Sequence, residues 1–259
     1  MSSDNPIAGL DGVSFSYSKR DFMKDLSLGI KEGAFIGLLG ANGSGKSTML
    51  KLLCGILKPA RGTVNLWGRP LQSLTNKDRA KLISYLPQVL DIGVPFTVRE
   101  LAEMGLYPYE GSATPGQKGF ATPIDEALEM VGLREKKDAP ITNLSGGERR
   151  RAFIAMTLVQ GAGIVLLDEP LANLDIKYQI ELIRLLKELN AKKNITVVMA
   201  LHDINLALRF DRLIVVKEGR LLGDGMPREM LTEALLKEAF GANLRIMGNG
   251  DEVFIGYEQ

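Results

Sequence analysis

The chain has 259 residues, 45% of them hydrophobic and 24% charged, an ordinary globular composition that excludes a fibre or a wholly disordered chain. Its 32 lysines and arginines oppose 31 aspartates and glutamates for a net charge of +1, which argues against a dedicated nucleic-acid coat. One cysteine, Cys54, rules out an intrachain disulfide and a four-cysteine zinc site; one histidine, His202, excludes a metal site that needs two.

In chain order, Met1 to Leu10 carries Asp4 and Pro6 and lacks the basic start and apolar run of a secretory signal. Ala34 to Leu39 is a short apolar run ending at Gly40 and reads as a buried strand. Ser47 to Leu57 follows with helical spacing of Met49, Leu50, Leu53, Ile56 and Leu57, stopped by Pro59. Leu90 to Lys118 is broken by Pro95, Pro108 and Pro115, with helical patches at Val98 to Met104 and Ile124 to Val131 and a helix after Gly147. Ile164 to Leu167 and Thr196 to Leu201 read as buried strands flanking a helix over Tyr178 to Leu189. Leu213 to Val216 is a further strand, turned back by Glu218-Gly219-Arg220, and the tail from Asn243 to Gln259 reads as a hairpin around Asn249-Gly250.

Fully apolar strands separated by helices predict an α/β fold whose mostly parallel sheet is covered on both faces. Residues 90–160 read as a helical subdomain inserted into a core of residues 1–89 and 161–240, with 241–259 as a tail. No apolar run approaches the ~20 residues that cross a bilayer, so any membrane role is expected to come through a partner.

Gly40-Ala41-Asn42-Gly43-Ser44-Gly45-Lys46-Ser47 fits the phosphate-loop pattern between a strand and a helix. Its glycines let backbone N–H groups converge on phosphate oxygens, the helix start adds partial positive charge, Lys46 reaches the β- and γ-phosphates, and the Ser47 hydroxyl can ligate Mg²⁺. A guanine reader is absent, since Asn76-Lys77-Asp78-Arg79 places its acid one residue early. Tyr17 is a candidate platform for a stacked adenine, the weaker alternative on position being a strand residue beside Phe15. Ile164 to Leu167 ends in Asp168-Glu169-Pro170, acids at a strand end where such sheets bind ligands. Asp168 suits Mg²⁺, and Glu169 suits polarising the attacking water.

Leu144-Ser145-Gly146-Gly147-Glu148 resembles the signature sequence of the ATP-binding cassette (ABC) family, and the family's other motifs follow in order. Tyr17 matches the adenine-stacking aromatic, residues 40–48 (through Thr48) the Walker A loop, Gln88 the Q-loop glutamine, residues 164–169 Walker B, Leu174-Asp175 the D-loop, and His202 the switch histidine. The resemblance spans roughly residues 10 to 235. It implies a RecA-like P-loop NTPase core with an N-terminal antiparallel β region. It implies that ATP and Mg²⁺ are bound, with Ser47, Gln88 and Asp168 toward the metal and Glu169 and His202 at the γ-phosphate. It also implies a head-to-tail homodimer in which Ser145, Gly146, Gly147 and Asp175 face the partner's nucleotide. Ala172 departs from the hydroxyl that many members carry before the D-loop. Arg149-Arg150-Arg151 reads as one solvated face of a helix rather than a nucleic-acid patch.

The stretch from Thr97 to Tyr109, Leu201 to Ala207, and Asp224-Gly225-Met226-Pro227 resemble importer ATPases for iron–siderophore, haem and cobalamin. That branch implies a separate membrane permease, a substrate-binding protein and a peripheral location on the cytoplasmic face of the cell membrane. An exporter or Fe–S cluster assembly ATPase has the same size; what co-purifies, an integral permease or soluble assembly proteins, separates the readings.

Overall fold

The computed structural model describes residues 6–18, 21–89, 94–111, 122–172, 174–248 and 254–257. They group into two compact units: one from the chain up to Pro70 and from Val198 onward, the other from Leu71 to Val197.

The first unit opens with β1 (Ala8–Ser16) and β2 (Asp21–Ile30), paired antiparallel with Ala8 opposite Ile30 and Leu10 opposite Leu28. Alternation buries Met23, Leu26, Leu28 and Ile30 and turns Asp25 and Ser27 outward, as expected for a sheet with one covered face. All five residues of β3 (Phe35–Leu39) are buried, because this strand is covered on both faces. Helix α1 (Lys46–Leu53) follows, then β4 (Arg61–Leu66) and β5 (Arg69–Pro70), completing an antiparallel sheet of order β2-β1-β4-β5. This is the expected N-terminal β region. Helix α1 stops short of the predicted Leu57 because Gly55 takes a left-handed φ of 76° and the Leu57 amide folds back onto the Lys51 carbonyl.

The second unit contains α2 (Asn76–Leu82), β6 (Ile83–Leu86), α3 (Val98–Glu103), α4 (Ile124–Met130), α5 (Gly146–Gln160), β7 (Ile164–Asp168) and α6 (Ile176–Lys193), and takes in the start of β8 (Thr196–Ala200). Strands run in the order β8-β7-β6, and β6 and β7 are parallel with Ile83 beside Ile164 and Leu86 beside Leu167. Strand β6 has no counterpart in the sequence reading. A 3₁₀ segment, Met104–Tyr109, lies so close on α5 that a Cβ on Gly105 would stand 2.4 Å from the Met156 carbonyl. The Tyr109 hydroxyl donates to the Gln160 carbonyl at 2.8 Å.

The chain re-enters the first unit with the rest of β8, then β9 (Arg212–Lys217), β10 (Arg220–Gly225), α7 (Pro227–Met230), α8 (Glu233–Phe240) and a hairpin of β11 (Leu244–Met247) and β12 (Phe254–Tyr257). Here the strand order is β10-β9-β3-β8, with β3 and β9 parallel and β9 and β10 antiparallel. Strands β11 and β12 pair antiparallel, and Asn249-Gly250, where the turn was expected, lies outside the described residues.

Candidate functional site

The phosphate loop leaves β3 at Gly40 and enters α1 at Gly45. Gly40 is required by close approach: a Cβ there would stand 2.2 Å from the Val216 carbonyl. Gly45 takes a φ of 115° and caps α1 with no side-chain acceptor, at the positive end of the helix. Lys46 is buried, and its Nζ donates to the carbonyls of Gly40 (2.7 Å) and Ala41 (3.2 Å), which folds the ammonium back across the loop. Ser44 Oγ is buried with no hydrogen-bond partner among the described residues. A buried, unsatisfied hydroxyl costs about 1–3 kcal/mol unless something reaches it. With the uncapped helix start and the lysine, it makes a cradle that fits a polyphosphate. Asn42 and Gly43 are exposed, and Ser47 is half-buried on the first turn of α1.

Tyr17 is 62% exposed, yet its hydroxyl shares a hydrogen bond of 2.8 Å with Oγ1 of buried Thr48 on α1. The ring stands edge-on to Phe15, centroids 4.8 Å apart, and borders a cavity of about 510 Å³ with Phe22, Lys24, Glu218 and Arg220. The Thr48 bond ties this aromatic to the helix that the phosphate loop opens, and the Gly219 amide, in the turn between β9 and β10, donates to the Ser44 carbonyl of the loop at 2.7 Å.

In the second unit, β7 ends in buried Asp168, which accepts a hydrogen bond of 3.0 Å from the Tyr85 hydroxyl of β6. Glu169 follows with a left-handed φ of 49°, a conformation that costs a non-glycine residue about 1 kcal/mol or more. Its carboxylate accepts a hydrogen bond of 2.7 Å from the Gln88 side-chain amide. Behind this pair lies Arg150. Far from being solvated, it is 6% exposed, its Nη1 donating to the Gln88 carbonyl (3.2 Å) and its Nη2 to the carbonyls of Asp168 (3.1 Å) and Glu169. Burial pushes the guanidinium pKa down, and the facing Asp168 and Glu169 carboxylates oppose that shift. Arg149 and Arg151 are only half-buried, the latter over the Tyr178 ring at 4.0 Å.

The signature opens α5. Ser145 Oγ accepts from the Glu148 amide (3.3 Å) while Glu148 accepts from the Ser145 amide (3.1 Å), a reciprocal cap that leaves the serine proton free to turn toward an anion. Space beside Gly146 is open, whereas a Cβ on Gly147 would press on Leu174 at 3.2 Å. Asp175 precedes α6, exposed and without a side-chain cap bond; the bend before it is held by Gln179 Nε2 donating to the carbonyls of Leu171 (3.3 Å) and Leu174 (3.0 Å). Asn173 lies outside the described residues.

His202 is exposed just beyond β8. Three residues on, Asn205 grips β12 as a strand would: its Nδ2 donates to the Ile255 carbonyl (3.2 Å) and its Oδ1 accepts from the Ile255 amide (2.8 Å). The Asn205 amide in turn donates to Asp203 Oδ1 at 2.8 Å.

A profile of the ABC transporter family matches residues 23–172, which contain the phosphate loop, Gln88, the signature and Asp168-Glu169. The chain belongs to the ABC transporter family. This cassette is 39% identical over 249 residues to the petrobactin import ATP-binding protein FpuC of Bacillus anthracis, covering 96% of this chain and 92% of that protein. It is 37% identical over 244 residues to the ferric enterobactin transport ATP-binding protein FepC of Escherichia coli, covering 93% and 90%. Among solved structures it superposes on an inward-facing metal-chelate type ABC transporter with a TM-score of 0.78 at 25% identity, covering 97% and 96%. It also superposes on a dimeric post-hydrolysis state of the cassette MJ0796 bound to ADP and Pi, with a TM-score of 0.74 at 29% identity, covering 85% and 99%. As a member of this family the cassette is an ATPase coupled to transport, with a P-loop NTPase fold. Among the described residues no helix is long and apolar enough to cross a membrane.

Within the first unit the structure brings Tyr17, Thr48, Ser44 and Lys46 onto one loop–helix junction, and within the second it brings Gln88, Asp168 and Glu169 together. Sequence reasoning missed Tyr85, Arg150 and Asn205. For Arg150 the signal was present: it lies three and four residues before Phe153 and Ile154, on the buried stripe of α5.

Proposed function

We propose that this cassette binds and hydrolyses ATP to drive uptake of a ferric siderophore or related metal chelate through a separate membrane permease. The observation that carries the substrate class is the match along nine-tenths of the chain to import ATP-binding proteins for petrobactin and enterobactin, joined by one for iron(3+)-hydroxamate. The helical segment from α3 to α5 is proposed as the permease-facing subdomain: Met104, Leu106 and Tyr107 are exposed beside the close packing of Gly105 on α5. A permease contact there would hold the cassette peripherally at the cytoplasmic face, with a substrate-binding protein delivering the chelate to the permease.

Each chemical role falls to a residue whose setting suits it. Lys46, the α1 amides and Ser44 bind the phosphates, and the Tyr17 ring stacks on adenine. Glu169 accepts the proton of the attacking water while Gln88 orients it, and His202 donates to the γ-phosphate. Ser47, Gln88 and Asp168 would hold Mg²⁺; a hydroxyl, an amide oxygen and a carboxylate are the hard oxygen donors that this ion takes, and it supplies charge neutralisation at the β- and γ-phosphates. Ser145, Gly146 and Gly147, with Asp175 beside them, meet the nucleotide held by the partner's phosphate loop. ATP thereby joins two copies, and loss of the γ-phosphate lets them part.

The deciding experiment measures uptake of ⁵⁵Fe-loaded hydroxamate and catecholate siderophores in cells with and without the gene, alongside detergent pull-down of the chain. Loss of uptake of one chelate, restored by the wild type but not by Glu169→Gln, together with capture of an integral permease, is expected. Unchanged uptake of every chelate with capture of soluble cluster-assembly proteins instead would overturn the import reading.

A further inference from the structure

Strands β6 and β7 pair only as far as Leu86 and Leu167; Gln88 and Glu169 lie beyond that ladder, where no sheet hydrogen bond fixes one against the other. Their side chains nevertheless meet at 2.7 Å. What crosses the gap behind them is Arg150, whose fork donates to the Gln88 carbonyl on one side and to the Asp168 and Glu169 carbonyls on the other. A guanidinium is suited to this because its donors lie in one rigid plane. Burying a charge is costly unless hydrogen bonds and opposite charges accompany it; here the two terminal nitrogens donate and two carboxylates face the cation, while Nε has no partner among the described residues. The bond to the Glu169 carbonyl also anchors the residue that carries the left-handed φ of 49°. Arg150 belongs to α5, five residues after the serine that caps it, so the signature helix, the glutamine and the glutamate share one buried cation.

We infer that Arg150 is a positioning residue that sets the Glu169 carboxylate against Gln88 and ties that pair to the signature helix. The inference rests on the role of Glu169 proposed above. In a head-to-tail dimer the signature answers to one ATP and the glutamate to the other, so Arg150 links the two sites within one chain. Displacement of α5 by the partner's nucleotide would be felt at the Gln88 and Glu169 backbones.

The test compares wild type, Arg150→Met, Arg150→Gln, Arg150→Lys and Glu169→Gln by melting temperature, ATP affinity, kcat, KM and the Hill coefficient for ATP. Misplacing a catalytic group by about 1 Å costs up to ~100-fold, so folded Arg150→Met should lose roughly 10–100-fold in kcat while its ATP affinity stays within about twofold. Its Hill coefficient should fall toward 1, and Arg150→Lys, which keeps the charge and can reach some of the carbonyls, should recover most of the lost rate. A merely structural arginine would lower the melting temperature without this split between kcat and affinity. Where Arg150→Met does not fold, Arg150→Gln is read in the same way. Full turnover and wild-type cooperativity in the folded variant, with Glu169→Gln inactive, would overturn the role of Arg150 alone. Full turnover by Glu169→Gln would instead remove the reading beneath it.

Discussion

The side-chain amide of Gln88 donates to the carboxylate of Glu169 at 2.7 Å, joining two residues 81 positions apart that each lie just past the end of a parallel strand. The proposed base is thus held by the loop that leads toward the proposed permease-facing helices.

Glu169→Gln should keep ATP binding and lower kcat by about 10²–10⁴, the range that a positioned general base contributes. The variant should accumulate as an ATP-bound dimer, read by size-exclusion chromatography with and without ATP. In the wild type, specific activity should rise with protein concentration below the dimerisation constant; activity strictly proportional to enzyme across that range would count against a shared site.

Lys46→Ala should abolish tight nucleotide binding, and it should also loosen the loop, since the ammonium donates to the Gly40 and Ala41 carbonyls in addition to its proposed role at the phosphates. Equilibrium titration with a fluorescent ATP analogue checks the first effect, and urea denaturation without nucleotide checks the second. An expected loss of about 1–3 kcal/mol follows from removing charge-assisted hydrogen bonds.

Tyr17→Ala should weaken ATP binding by about 1–3 kcal/mol, the usual contribution of a base–aromatic stack, with little change in kcat at saturation. Tyr17→Phe keeps the ring and loses only the bond to Thr48, so its cost should be about 0.5–1.5 kcal/mol. Equal losses in the two variants would mean that the hydroxyl matters and the ring does not.

The signature cap carries a pH dependence. The Lys136 ammonium at 2.6 Å holds the Glu148 carboxyl below the usual carboxylate range, with the Ser145 amide assisting. A pKa depressed in the folded state means stabilisation that is complete above the unfolded value of about 4.3 and is lost as pH falls through the folded value. The stability difference between wild type and Glu148→Gln should therefore be flat from pH 7 to about 5 and shrink below about 4, as measured by urea denaturation at each pH.

The buried strands were legible in the sequence because strands covered on both faces are continuous apolar runs, as β3, β7 and β8 show. The phosphate loop, the signature and the two acids were legible because glycine and charge are spent there for reasons local to a few residues. What escaped was set by contacts distant in sequence. The four residues of β6 are too few for a period to declare itself, and so Tyr85 and its bond to Asp168 went unseen. Three successive arginines read as a wet surface, although an α-helix turns about 100° per residue and must point them in different directions; the middle one points inward. Asn205 looks like an ordinary polar loop residue until β12, 50 positions away, is laid against it.

That last contact bears on how the protein is handled. Two hydrogen bonds from a single carboxamide fasten β12 to the segment that carries His202. A probe or fusion placed beyond β12 would thus pull on the segment that carries the proposed γ-phosphate histidine, and turnover rates from such material would report the tether along with the enzyme.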